Sequence, residues 1–183
     1  MMILDGLESE RLKFRSITMD DYQPLMAFFS NPEATKFFYP TQPPEELCRD
    51  WIKRQLQRYK NDGYGLCALI EKATGQLVGQ CGLLNQVVDE VKELEIGYSL
   101  IPAFWSRGFA IEAARYFKNF AFENKMAPSV ISIIEINNLN SQKVAYKNGM
   151  QIQKKTRFKN VDAYVFRITF SEWRQHLKKE VDS

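Results

Sequence analysis

The chain has 183 residues, 45% apolar and 26% charged, and a formal charge of +3, which excludes a disordered chain and gives no support to a nucleic-acid surface. Three scattered cysteines (Cys48, Cys67, Cys81) and a single His176 supply neither a disulfide framework nor a zinc-ligand set. No apolar run reaches the length of a membrane span and the apolar start is too short for a signal peptide, so the expectation is one cytoplasmic α/β domain over residues 1–183.

Arg11 to Ile17 alternates apolar and polar residues, as a half-buried strand does. Thr18 and Asp21 have the spacing of a capping box ahead of a helix from Tyr22 to Phe29, which Asn31-Pro32 ends. Pro43 or Pro44 opens a second helix reaching about Tyr59, with Leu47, Trp51, Ile52 and Leu56 as its apolar stripe. Asn61-Asp62-Gly63 turns the chain, and Tyr64 to Glu71 and Gln76 to Leu84 read as a hairpin around Ala73-Thr74-Gly75. Val91 to Leu100 is the next strand, and Pro102, lacking an amide donor, stops its pairing.

Arg107-Gly108-Phe109-Ala110 then turns directly into a helix whose apolar positions are Ala110, Ala113, Ala114, Phe117 and Ala121. A helix start behind a glycine offers unpaired N–H groups and a positive dipole end, which together hold phosphate, and Gly108 has no Cβ to keep an anion away. The same segment also serves as an ordinary strand-to-helix connection, and the dinucleotide and P-loop fingerprints are both absent. Val130 to Ile134 is a β-branched strand. Asn138 to Met150 reads as a short helix that Asn140 or Ser141 caps and Gly149 ends. Gln151 to Phe158 and Ala163 to Phe170 are two closing strands.

Three signatures stand in order: E-I-G-Y-S-L-I-P-A-F-W from Glu95, R-G-F-A-I-E-A from Arg107, and N-L-N-S-Q-K-V-A-Y-K-N-G from Asn138. With E-R-L-K-F-R at Glu10 to Arg15 and F-S-E-W at Phe170 to Trp173, they resemble the GCN5-related N-acetyltransferase (GNAT) superfamily, and within it the RimJ/RimL-like branch of ribosomal-protein N-terminal acetyltransferases. The resemblance implies an α/β fold with a mixed, mostly antiparallel sheet of roughly six to seven strands, about four flanking helices, and splayed fourth and fifth strands. It implies acetyl transfer from acetyl-CoA to a primary amine, either a protein N-terminal α-amine or a small amine, by direct attack and without a metal. No nucleic-acid or membrane partner is implied, and the chain is expected as a monomer or homodimer.

By the same resemblance, the pantetheine arm of the cofactor lies in the opening between the fourth and fifth strands, against Ser99, Leu100 and Ile101. The pyrophosphate lies on Ser106, Arg107, Gly108, Phe109, Ala110 and Ile111. Trp105 stands where the common family pattern has Gln or Arg, as is usual in the RimJ/RimL-like branch. Anion binding then rests on backbone N–H groups and on Arg107, unless that side chain is merely solvated. Asn138 matches the Asn that bonds the pantetheine arm, and it is also an apt turn or cap residue. Ala145 occupies the place of the Tyr that often protonates the leaving thiolate, and Tyr146 lies about 100° around the helix. Ser141 is the remaining proton donor. Glu95 matches an acidic position that would take the amine proton through water, although Glu93 and Glu95 share a strand face that could equally meet solvent.

The missing Tyr leaves open a catalytically idle acyl-CoA-binding module with a regulatory or interaction role. Phe37, Phe38 and Tyr39, with Trp51, form either an acceptor wall or plain core. Glu45, Glu46 and Asp50 either attract a cationic amine or form a solvated helix face, and Lys154, Lys155, Arg157 and Lys159 meet acidic protein, the cofactor 3′-phosphate or solvent.

Overall fold

The computed structural model describes residues 3–181. Seven strands form one sheet in the order β1-β2-β3-β4-β5-β7-β6. They are β1 (Leu12–Ser16), β2 (Leu66–Glu71), β3 (Leu77–Val88), β4 (Val91–Leu100), β5 (Ser129–Glu135), β6 (Gln151–Phe158) and β7 (Val161–Thr169). The helices are α1 (Tyr22–Phe29), α2 (Pro32–Thr35), α3 (Pro44–Asp62), α4 (Phe109–Glu123), α5 (Leu139–Lys147) and α6 (Phe170–Val181). Pairing is antiparallel at β1–β2, β2–β3, β5–β7 and β6–β7 and parallel at β4–β5, so the expected mixed, mostly antiparallel sheet is the one observed. By internal contacts the chain forms two compact units, Met1–Gly82 with Tyr98–Ala113, and Leu83–Gly97 with Ala114–Ser183.

In the first unit, Leu12 and Phe14 alternate inward from β1 and are buried with Leu25, Phe29, Ile52, Leu69 and Val78. The Thr18 amide donates to Asp21 Oδ2 at 2.9 Å, the acidic half of the expected capping box, and both Asp21 oxygens also receive the Arg15 guanidinium at 2.7 Å. Asn31 does more than end α1. Its Oδ1 accepts from the Glu33 and Ala34 amides, so it caps α2, with Pro32 at the first helical position. Helix α3 begins at Pro44 and runs three residues past the expected Tyr59, to a left-handed Gly63. The Tyr59 hydroxyl donates to the Leu66 carbonyl and accepts from the Ile17 amide.

In the second unit, β5 and β7 pair in full from Ser129↔Thr169 to Glu135↔Ala163, and Val88, Ile131 and Val165 form a buried cluster. The α4 residues Ala114, Phe117 and Ala121 are fully buried, as their spacing requires. Helix α6 replaces the end of the last expected strand. Thr169 and Glu172 close a capping box at its start, with the Thr169 amide on Glu172 Oε2 at 2.8 Å and the Glu172 amide on Thr169 Oγ1 at 3.3 Å. The T-F-S-E spacing in the sequence carried that signal. Trp173 then packs 5.2 Å from Phe122, and its indole N–H donates to Asn119 Oδ1. Lys154 pairs with Asp89 and Lys155 with Asp162, so two of the basic residues of β6 are balanced by carboxylates. Among the described residues no helix is long and apolar enough to cross a membrane.

Candidate active site

The segment between β4 and α4 is shaped by two left-handed residues, Ser106 at φ +60° and Gly108 at φ +84°. Glycine adopts that conformation at no steric cost. The first intrahelical bond runs from the Glu112 amide to the Gly108 carbonyl at 3.1 Å, so the amides of Phe109, Ala110 and Ile111 precede it. They sit at the positive end of the helix dipole.

Arg107 is not simply solvated. Its guanidinium donates to Glu71 Oε1 at 2.6 Å and lies 4.9 Å from the centre of the Phe109 ring. Arg11, which the sequence did not single out, stands beside it. Its Nε donates to Glu112 Oε2 at 2.7 Å, its Nη1 to the Arg107 carbonyl at 2.9 Å, and its guanidinium lies 4.7 Å from the same Phe109 ring. The Ser9 hydroxyl and the Arg11 amide both donate to Glu112 Oε1 at 2.7 Å. Burial pushes the Glu112 carboxyl up, but the bonds from Ser9 and Arg11 outweigh it and hold the group below its usual range.

Tertiary bonds also fix the end of β4. The Trp105 indole donates to the Leu100 carbonyl at 2.8 Å, and the Ile101 amide donates to the Val78 carbonyl at 3.0 Å. Two of the main-chain groups expected to meet the pantetheine arm thus already have partners. Gln80, almost fully buried, accepts from the Trp51 indole at 2.8 Å and donates to Ser99 Oγ at 3.1 Å. An indole N–H only donates, so the Gln80 carbonyl must face Trp51 and its amide must face Ser99.

The aromatic residues of the cluster pack on one another without being fully buried. Phe38 stacks on Trp51 with ring centres 5.4 Å apart, and Phe28 backs it at 5.5 Å. Phe38 and Tyr39 nevertheless remain exposed. Helices α1, α2 and the start of α3 border a cavity of about 230 Å³, lined by Phe29, Ser30, Thr35, Pro40, Gln42 and Leu47 among others. Glu45 and Glu46 are exposed, whereas Asp50 accepts from Gln42 and pairs with Lys53.

In the second unit, Glu95 is buried at 8% exposure, opposite Ile131 in the parallel ladder. Its Oε2 accepts from Gln86 Nε2 at 2.7 Å. Glu93 is ion-paired with Arg167. The two carboxylates therefore do not form a solvent-facing pair, because each has a partner in the fold. Asn138, rather than Asn140 or Ser141, caps α5, and its Oδ1 accepts from the Ser141 amide at 3.2 Å. Ser141 is left inside the first turn and half-buried. Ala145 is buried, while Tyr146 is exposed and packs edge-on against Phe166 at 5.0 Å. Gly149 follows the last helical residues at φ +82°, as expected.

Residues 11–151 match the model of the acetyltransferase (GNAT) domain, and the chain belongs to that family. An uncharacterised N-acetyltransferase of Bacillus licheniformis, p20, is 27% identical over 179 residues, which span 93% of this chain and 99% of the relative. The crystal structure of an acetyltransferase from Agrobacterium tumefaciens superposes with a TM-score of 0.75 at 27% identity, covering 88% of this chain and 92% of the other. RimL, a ribosomal L7/L12 α-N-protein acetyltransferase solved with coenzyme A, superposes with a TM-score of 0.70 at 13% identity, covering 90% of this chain and 97% of RimL.

Proposed function

We propose that this protein transfers the acetyl group of acetyl-CoA to a primary amine by direct attack of the amine on the thioester. The observation that carries the proposal is the turn at Ser106 to Ile111, whose two left-handed residues deliver three consecutive amides at a helix start inside the span matched by the acetyltransferase family. That arrangement suits a diphosphate. The coenzyme A held by RimL supports the same donor here.

In this reading the diphosphate rests on the amides of the turn. The pantetheine arm runs along Ser99, Leu100 and Ile101, using main-chain groups that Val78 and Trp105 do not already occupy. Asn138 offers its side-chain N–H₂ to the arm while its oxygen caps α5. Glu95 takes the proton of the attacking amine through water, held in place by Gln86. Ser141, in the first turn of α5, returns a proton to the thiolate. The bond formed is amine nitrogen to acetyl carbon, the bond broken is carbon to sulfur, and coenzyme A leaves as the thiol.

The acceptor is a protein N-terminal α-amine or a small amine. An α-amine, with a pKa of about 7.7–8.0, is neutral in roughly a quarter of molecules near pH 7.4, so it needs little from the base. Thiol release measured with N-terminal peptides beside polyamines and other small amines tests the proposal. Turnover with one class and a product heavier by one acetyl group supports it. Coenzyme A binding without turnover across the panel overturns it in favour of a binding module.

A further inference from the structure

Glu112 lies in the first turn of α4, one residue past the amides assigned to the diphosphate. A carboxylate there suits the helix dipole, but it also opposes any second anion at the same helix end. Ser9 and both the main chain and side chain of Arg11 converge on its two oxygens at 2.7 Å. Arg11 also holds the Arg107 carbonyl inside the turn, and its Nη2 would lie 3.3 Å from a Cβ placed on Gly108. One guanidinium thus spans the carboxylate, the turn carbonyl and the glycine.

We infer that Arg11 is a positioning residue for the acetyl-CoA diphosphate: its charge cancels that of Glu112 so that the amide-lined turn can accept an anion. The inference rests on the proposed cofactor site and goes beyond it, because it gives β1 and its lead-in, far away in sequence, a role in cofactor affinity. Arg107, matched to Glu71, cannot perform the same cancellation because its own charge is already paired. The guanidinium of Arg11 acts through Glu112 and touches no reacting atom.

The test is a double-variant cycle on the full chain, with coenzyme A binding measured by calorimetry at low and high salt and with kcat and KM for acetyl-CoA measured separately. R11M is expected to weaken coenzyme A at least tenfold at low salt, with a smaller deficit in high salt, and to raise the acetyl-CoA KM while kcat at saturation holds. E112Q, which leaves the Arg11 charge unopposed, is expected to bind at least as tightly as the unaltered protein. R11M/E112Q is expected to recover to within threefold, although it regains none of the Arg11 side-chain bonds lost in R11M. R11K, which keeps the charge, should stay within threefold.

A double variant as weak as R11M overturns the inference, and so does an R11M that binds normally. A purely structural brace leaves the double variant no better than R11M, whereas charge cancellation makes it a rescue. Should R11M alone fail to fold, the double variant and R11K decide by the same thresholds. Failure of the unaltered protein to bind coenzyme A at all is a different result and sinks the cofactor site itself.

Discussion

The indole N–H of Trp105 donates to the carbonyl of Leu100 at 2.8 Å, so the turn leading to α4 is tied back to the last residue of β4. Trp105→Phe keeps the ring and removes that bond. A neutral hydrogen bond contributes about 0.5–1.5 kcal/mol net, which corresponds to roughly a threefold to tenfold effect if it is expressed in cofactor affinity. The expected outcome is a rise of that size in the acetyl-CoA KM with the acceptor KM unchanged. An unchanged acetyl-CoA KM would show that the tie plays no part in the site.

Gly108→Ala places a methyl on a residue at φ +84°. The conformational cost is about 1–2 kcal/mol, and the Arg11 guanidinium 3.3 Å away is the end of a flexible side chain that can retreat. Thermal unfolding should fall by several degrees, at about 2–4 °C per kcal/mol for a chain of this size. Coenzyme A affinity should fall further than the melting temperature alone explains, because the amides of the turn reorient.

Gln80→Leu leaves the Trp51 indole without its acceptor and Ser99 without its donor. An orphaned buried polar group costs about 1–3 kcal/mol. The variant should be destabilised by that amount in urea titration, with fluorescence of Trp51 shifted by the loss of its partner. A neutral stability change would mean that solvent satisfies the indole.

Glu95→Gln keeps an acceptor for Gln86 and removes the carboxylate proposed as the base. General-base assistance is worth about 10²–10⁴-fold, the larger values being expected where the acceptor amine is more basic. The kcat of the variant should therefore drop more for a lysine-like amine than for an α-amine, with little change in melting temperature. Equal losses for both acceptors would remove Glu95 from proton transfer.

The Glu112 carboxyl titrates lower in the folded chain than its ordinary value of 4.5. A depressed folded pKa gives stability that is complete above the unfolded value and lost as pH falls through the folded one. Melting temperatures measured from pH 6 downward should start to decline near 4.5 and continue below it. Glu112→Gln, which cannot titrate, should flatten that part of the decline.

Patterns confined to one element were legible in the sequence. The expected spans of β4 and β6 coincide with those observed, and Pro102 marks locally where β4 stops pairing. The expected last strand ends at Phe170 and gives no sign of helix α6, whose start at Phe170 is fixed by the Thr169–Glu172 cap. Asn138, Asn140 and Ser141 all suit the cap of α5 by residue type, and the backbone conformation at Asn138 selects it.

By itself the sequence determined the succession of strands and helices along the chain and the glycine that opens α4, because periodicity and backbone conformation depend on near neighbours, while the family followed from the resemblance of its motifs. Only the tertiary structure decided that Arg11 meets Glu112 across 101 residues, that Gln80 bridges Trp51 and Ser99, and that Glu95 is buried with Gln86 rather than left in water. Hydrogen-bond partners and charge pairing depend on which side chains the fold brings within about 3 Å, and no spacing along the chain encodes that distance.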